Sequence, residues 1–286
     1  MRDFVLMTDS CCDLPASLAE SLEITVLPLS YVIEGHEYFD TLDHHDMTPE
    51  DFFDRLRNGI TASTSAISVG TFHDRMEEIV SAGQDILCVC FSSALSTTYQ
   101  SARIAAEDVL SAHPEGNIVV LDSLCASLGQ GLLLYLAARK KAEGATLDEL
   151  AQFVEQEKLH ICHWFVVDDL LHLKRGGRIS AVSAVLGTAL QMKPILHVDN
   201  EGRLIPVTKV RGRKAAMAEL LHRCQPTDAS TVFIVHGDCL ADAEALAQSV
   251  REQYAVETLV IRQLGAVIGS HAGPGTLSVF FVGEER

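Results

Sequence analysis

Apolar residues in this chain fall into short runs, separated by stretches in which they recur every three to four positions. That is the pattern of strands alternating with amphipathic helices. Phe4–Met7 reads as a first strand and Pro15–Leu22 as a helix with proline in its opening turn. Ile24–Ile33 reads as a second strand, interrupted at Pro28. Further helices are predicted over Pro49–Arg57, Ser68–Ser81, Ala94–Ser111 and Ser127–Glu143. The first of these has Thr48 as N-cap, Pro49 at the first helical position and acids in the first turn. Ile86–Phe91 and Ile118–Leu121 are continuously apolar, as strands covered on both faces are. Strand and helix in alternation imply a doubly wound parallel sheet.

The second half changes character. After the apolar run Ile161–Val167 comes a basic, glycine-rich break, Lys174-Arg175-Gly176-Gly177-Arg178. Lys193–Val198 and Arg203–Val207 then flank Asp199-Asn200-Glu201-Gly202, a short hairpin signal. Helix Lys214–Arg223, strand Thr231–Val235, helix Ala241–Gln253 and strand Thr258–Ile261 follow. A hairpin among strand–helix units implies a C-terminal α/β lobe with a mixed sheet. The expected division is residues 1–165 for the parallel α/β domain and 166–286 for the mixed-sheet domain. No Pro/Ser-rich linker separates them, so the lobes are expected to pack closely, and sites often form in such interfaces. From Gln263 to Gly283 there is no formal charge, which is long enough to raise a membrane span. Four glycines, Pro274 and His271 inside it argue for strand–helix–loop–strand instead, and no integral membrane segment is expected.

Composition narrows the function classes. At 48% hydrophobic and 21% charged residues the chain cannot be disordered. A net charge of −17 argues against nucleic acid and anionic membrane as partners. The 8 cysteines include no Cys-x-x-Cys and match no zinc spacing. They are expected to be reduced thiols acting as small hydrophobes, with Cys88 and Cys90 on one strand face, in a cytoplasmic protein. His44-His45-Asp46 lacks a spaced partner and reads as a solvated loop, not a metal site.

Three hydroxyl-rich segments could carry chemistry: Thr61–Ser65 before a helix, Ser92–Tyr99 directly after strand Ile86–Phe91, and Asp122-Ser123 after strand Ile118–Leu121. In an open α/β sheet, ligands bind beyond the carboxyl ends of the strands. Hydroxyls there, joined to free amides at a helix start, make an anion site. Ser and Thr also cap ordinary helices, yet Ser92–Tyr99 holds more hydroxyls than one cap needs. Arg178 follows two glycines that let the backbone turn and hinge, and its guanidinium could grip a carboxylate or phosphate. His271 places a titratable ring beside the rigid Gly273-Pro274-Gly275 turn. Asp238 in His236-Gly237-Asp238 is expected to cap helix Ala241–Gln253. Phosphate-loop, dinucleotide and nucleophile-elbow motifs are all missing, so no catalytic residue is assigned. The rival from another class is a hydrolase or transferase using Ser93 or Ser96 with His271 and an Asp.

At these same residues the sequence resembles the DegV family, the fatty-acid-binding subunits of bacterial fatty acid kinase. Thr8-Asp9-Ser10…Asp13-Leu14-Pro15 matches its opening motif, and Ser92–Ser101 its most telling one. Lys174–Ser180, Lys193-Pro194-Ile195-Leu196, His236-Gly237-Asp238 and Gly273-Pro274-Gly275-Thr276 follow in family order. This chain has Ala66-Ile67 where the family usually has Gln-Pro, and Thr97 where it usually has glycine. The resemblance implies a long-chain fatty acid such as palmitate, stearate or oleate, buried between the lobes. Its carboxylate would be held by Thr64 and Ser96, with Ser65, Thr97 and His271 around it. Arg178 would face an ATP-binding kinase subunit that phosphorylates the carboxylate. On this reading the chain needs no cofactor or metal and presents a substrate without catalysing alone; a plain lipid carrier is the alternative.

Overall fold

The computed structural model describes residues 2–179 and 191–286. Ser180, the last residue of the Lys174–Ser180 segment, lies outside the described residues. Along the first half run β1 (Phe4–Asp9), α1 (Ala16–Ser21), β2 (Ile24–Leu27), β3 (Ser30–Ile33), β4 (His36–Phe39), α2 (Pro49–Arg57) and β5 (Ala62–Ser65). They are followed by α3 (Val69–Ser81), β6 (Asp85–Cys90), α4 (Thr98–Ala112), β7 (Ile118–Asp122), α5 (Leu128–Ala142) and α6 (Leu147–Glu157). Strands β2-β1-β6-β7 form the expected parallel sheet, and the buried side chains of β6 alternate without a polar face. Cys88 and Cys90 share one side of β6, their sulfurs 3.6 Å apart. All eight cysteines are free thiols, and all but Cys239 are buried.

Helix starts follow local chemistry. Thr48 caps α2 by accepting from the Asp51 amide, with Pro49 at the first position and Glu50 and Asp51 in the first turn. Ser68 caps α3 in the same way through Thr71. Helix α6 is one that periodicity passed over, although Thr146 and Glu149 form a reciprocal capping box readable from the sequence.

The segment Ile24–Ile33 is two strands in two sheets, not one interrupted strand. Strand β2 joins the parallel sheet, and Pro28 and Leu29 redirect the chain into β3, which pairs antiparallel with β4 and β5. Proline cannot donate to a ladder, so the strand divides there. Thr61–Ser65, expected to lead into a helix, is mostly β5, with Thr64 opposite Tyr31. Helix α4 starts at Thr98, four residues later than expected, because Leu95 and Ser96 both donate backbone bonds to the Ser92 carbonyl in a separate turn.

The second half comprises β8 (Ile161–Val166), α7 (Leu171–Arg175), β9 (Met192–Val198), β10 (Leu204–Arg211), α8 (Arg213–Arg223) and β11 (Asp228–His236). Helix α9 (Leu240–Gln253), β12 (Thr258–Gln263), α10 (Ala266–Ala272) and β13 (Leu277–Val282) complete it. The six strands β10-β9-β8-β13-β11-β12 form the mixed sheet, with β11 and β12 parallel and the other pairs antiparallel. Strand β8 runs through the proposed division at residues 165/166 and pairs wholly within this sheet. The uncharged stretch from Gln263 is the end of β12, then α10, a turn and β13, as its glycines implied. No helix among the described residues is long and apolar enough to cross a membrane.

One apolar core joins the halves. Phe233, Leu264, Val267 and Phe280 of the second half bury into the same cluster as Leu6, Phe52, Phe53 and Leu132 of the first. Helix α10 leaves its own sheet to pack on α2, β3 and β5. A side chain at Gly269 would come within 3.0 Å of both the Phe52 and Phe53 rings, so glycine is what lets this helix approach. The consequence for function is positional: α10 closes one wall of a cavity built by both halves.

Candidate functional site

The parallel sheet reverses its direction of winding between β1 and β6, the place where ligands bind in such sheets. Asp9, at the end of β1, welds the two loops that meet there. Its carboxylate accepts from the Cys11 amide at 3.1 Å, the Phe91 amide at 2.7 Å and the Gln130 amide group at 3.3 Å. Burial lifts its pKa to about 6, against the pull of those donors. The loop Ser92–Thr97 is thereby held at the switch point, and Ser92 Oγ ties it to the β9–β10 hairpin through the Gly202 carbonyl at 2.9 Å. Thr97 sits at φ −82°, a conformation open to any residue, so this loop does not need the family's usual glycine there.

Beside this loop lies a cavity of about 480 Å³. Its body is apolar, with Leu29, Phe91, Phe165, Leu264, Val267 and Phe280 among its walls. Thr64, Ser65, Ser96, Thr97, Arg178 and His271 also line it. All six predicted site residues therefore meet in one cavity, though they come from β5, the Ser92–Thr97 loop, the turn after α7, and α10. Ser65 and Thr97 are exposed at its rim, while Thr64, Ser96, Arg178 and His271 are half-buried. Ser278 and Phe280 follow each other on one face of β13, with Thr276 in the turn just before it.

The polar end is tightly connected. Thr64 Oγ1 and His271 Nε2 are 2.8 Å apart, whereas buried His271 Nδ1 has no partner. Burial, and then the neighbouring Arg178 charge, pushes the His271 pKa down to about 4, so the ring is neutral near pH 7. Ser96 Oγ lies 2.9 Å from Thr98 Oγ1 and accepts from the Thr98 amide at 3.2 Å, capping α4 from outside the helix. Arg178 Nε donates to the Leu95 carbonyl at 3.1 Å, and Nη1 donates to the Gly176 carbonyl.

The glycines before Arg178 serve a turn and a close contact. Gly177, at φ +71°, ends α7 with its amide on the Lys174 carbonyl, and the Arg178 amide bonds the Leu173 carbonyl. Gly176 is a contact surface: a Cβ there would fall 2.0 Å from His271 Nδ1. Asp238 also departs from expectation. It leaves α9 uncapped by a side chain and instead pairs with Arg57 of α2. His44 is half-buried, its Nε2 accepting from Arg262 at 2.7 Å. No group of three or more His, Cys, Asp or Glu among the described residues is placed to hold a metal.

Two polar groups deeper in the cavity escaped sequence reasoning. His163 sits in apolar β8 with Nδ1 donating to the Ile161 carbonyl and Nε2 accepting from the Ala126 amide at 3.3 Å. Ser127 donates to Asp13 at 2.5 Å. Period-two alternation in Leu277–Val282 could have placed Ser278 and Phe280 on a common face; nothing local marked His163. The serine–histidine pair of a hydrolase is not formed, because His271 Nε2 faces Thr64, Ser96 faces Thr98, and Ser93 is exposed. Hydroxyls, a neutral imidazole and one guanidinium gather at one end of the apolar cavity.

The family model described as an uncharacterised protein family, DegV, matches residues 3–284. The chain belongs to the DegV family. A DegV domain-containing protein of Clostridium perfringens (strain 13 / Type A) is 45% identical over 290 residues, covering 100% of this chain and 99% of its own. Among solved structures, a DegV lipid binding protein from Thermotoga maritima matches with a TM-score of 0.87 at 30% identity, covering 99% of each chain. A DegV family protein from Thermus thermophilus, described by its fatty acid binding, matches at 0.87 with 33% identity over 98% of this DegV chain and 99% of its own. The likeness spans nearly the whole chain, and so all three sheets.

Proposed function

We propose that this DegV protein binds one long-chain fatty acid, of the palmitate, stearate or oleate class, in the cavity and presents its carboxylate to an ATP-dependent kinase subunit. The observation that carries this reading is the joining of an apolar cavity of about 480 Å³ to one polar end built from Thr64, Ser96, Arg178 and His271. The lipid and fatty acid binding of the Thermotoga and Thermus relatives supports it. Magnitudes agree: about fourteen methylenes at ~0.8 kcal/mol each give roughly 11 kcal/mol gross. Association consumes about 4–15 kcal/mol, and bonds to a charged carboxylate return ~1.5–3 kcal/mol apiece. The hydrocarbon supplies affinity, while Thr64 and Ser96, with Ser65 and Thr97 at the rim, fix the carboxylate.

In the presented state a carboxylate oxygen attacks the γ-phosphorus of ATP held by the partner, ADP leaves, and acyl phosphate remains in the cavity. This chain binds and orients; the partner holds the nucleotide. Native mass spectrometry of the purified protein is expected to show one fatty acid per chain, or uptake of added palmitate to that ratio. Protein that carries no lipid and takes up none overturns the reading.

Arg178→Ala is expected to leave palmitate affinity close to wild type and to slow acyl phosphate formation by a supplied kinase subunit by roughly 10²-fold, the order seen when one donor to a developing charge is removed. Arg178→Lys keeps the charge but not the planar fork and should fall between the two. Equal losses in affinity and rate, or none in either, count against a phosphoryl-facing Arg178 and favour a plain carrier.

A further inference from the structure

Helix α10 contributes Val267, Ile268, His271 and Ala272 to the cavity, so whatever holds α10 governs its polar end. Two buried carboxyl groups from the other half of the molecule hold its first turn. Asp13 accepts from the Gly265 amide at 2.9 Å and from Ser127 Oγ. Asp40 accepts from the Ala266 and Val267 amides, both at 3.0 Å. Both carboxyl groups converge on Gly265, where a Cβ would lie 2.9 Å from oxygens of each. Only 3% of each residue is exposed. Two acids on one helix start exceed what capping requires.

We infer that Asp13 and Asp40 are positioning residues for the head-group site: they latch α10, and with it His271, against the N-terminal half while one of them is protonated, and loosen that latch when both are ionised. The inference rests on the reading of the cavity as a fatty-acid site only in its consequence for ligand exchange.

The chemistry permits one proton without loss of the latch. A proton on the Asp13 oxygen facing Ser127 reverses that hydrogen bond, since a hydroxyl both donates and accepts. The other oxygen still accepts from Gly265. Arg262 of β12 faces the pair, as do the thiols of Cys11 and Cys12, and Tyr31 of β3 feels the Asp40 charge. Asp9 lies behind the thiols, and His44 accepts from Arg262. Arg262 is the one cation among these, and its guanidinium also serves the Leu42 carbonyl and His44. Another cavity, of about 380 Å³ and lined by Ser10, Asp40, Thr41 and Asp43, reaches Asp40.

Burial, and then the Asp40 charge, raises Asp13 to about 7; burial raises Asp40 to about 6. A solvated carboxyl group titrates near 3.9, so the latched form binds a proton more tightly than a released one. Closure is therefore favoured at low pH and weakens as pH rises through about 6 to 7.

Hydrogen exchange of the full, lipid-free chain tests this directly, after correction for the intrinsic pH dependence of amide exchange. Protection over Gly265–Val267 is expected to fall about tenfold between about pH 6 and about pH 8, the linkage for one group titrating near 7. Asp13→Asn, a neutral isostere, should hold the low-pH protection at both values, and Asp13→Ala should lose protection at both. Palmitate release should follow the same profile in wild type and become flat in Asp13→Asn. Equal wild-type protection at both pH values overturns the latch, as does an unchanged slope in Asp13→Asn. Should that variant not fold, the wild-type profile and Asp40→Asn decide. Protein that shows the exchange profile yet binds no palmitate keeps the latch and overturns the fatty-acid reading.

Discussion

Ser278→Phe is expected to abolish palmitate binding while leaving the fold in place. Ser278 is 5% exposed, is the second residue of β13, pairs between Phe165 of β8 and Val235 of β11, and lines the cavity. A phenylalanine ring there has space only where the hydrocarbon is proposed to lie. Overpacking costs about 1–3 kcal/mol in a filled core, and less where a cavity accepts the ring. In wild type, palmitate at about a hundred times its Kd should stabilise by ~2.7 kcal/mol, a rise of about 4–5 °C in Tm for a chain of this size. Ser278→Phe should show no such rise, and Ser278→Ala should show all of it. A palmitate-dependent shift of wild-type size in Ser278→Phe would place the acyl chain elsewhere.

Thr64→Ala should weaken palmitate binding by about 5–150-fold, equivalent to ~1–3 kcal/mol, with a smaller effect on Tm. Thr64 Oγ1 is the partner of His271 Nε2 at 2.8 Å, and the other ring nitrogen already lacks one. Removing the hydroxyl takes a donor from the bound carboxylate and strands both nitrogens of a buried ring. Thr64→Ser restores the oxygen and should restore affinity. Ser96→Ala should lose affinity comparably and some stability as well, because Ser96 also caps α4 through the Thr98 amide. Wild-type titration curves from both alanine variants would move the head group to another part of the cavity.

Much of this architecture was legible one segment at a time. The Thr48–Pro49 helix start, the buried strand through Cys88 and Cys90, and the breakers between Gln263 and Gly283 each act through neighbours in the chain, where capping, alternation and proline chemistry operate. The five residues proposed around the carboxylate, and Arg178 proposed to face the partner, were also named from their segments, with the family resemblance joining them. The errors share a cause. Ile24–Ile33 divided because β3 found partners in β4 and β5, which no local pattern of Ala62-Ser63-Thr64-Ser65 advertises. The two glycines before Arg178 looked like freedom to move, yet Gly176 is bare because the His271 ring, far along the chain, occupies the space of its Cβ.

Periodicity, capping and turn chemistry thus specified which elements form and that a hydroxyl-rich loop follows β6, since those energies are set within a few residues. Where α10 goes was settled at long range. Its burial against Phe52 and Phe53, and the capture of its first turn by Asp13 and Asp40, depend on groups more than two hundred positions away. Contacts of that kind exist only once the two halves of the chain have packed. They make one cavity of Thr64, Ser96, Arg178 and His271, and they keep two acids buried that would otherwise sit in water as ordinary carboxylates.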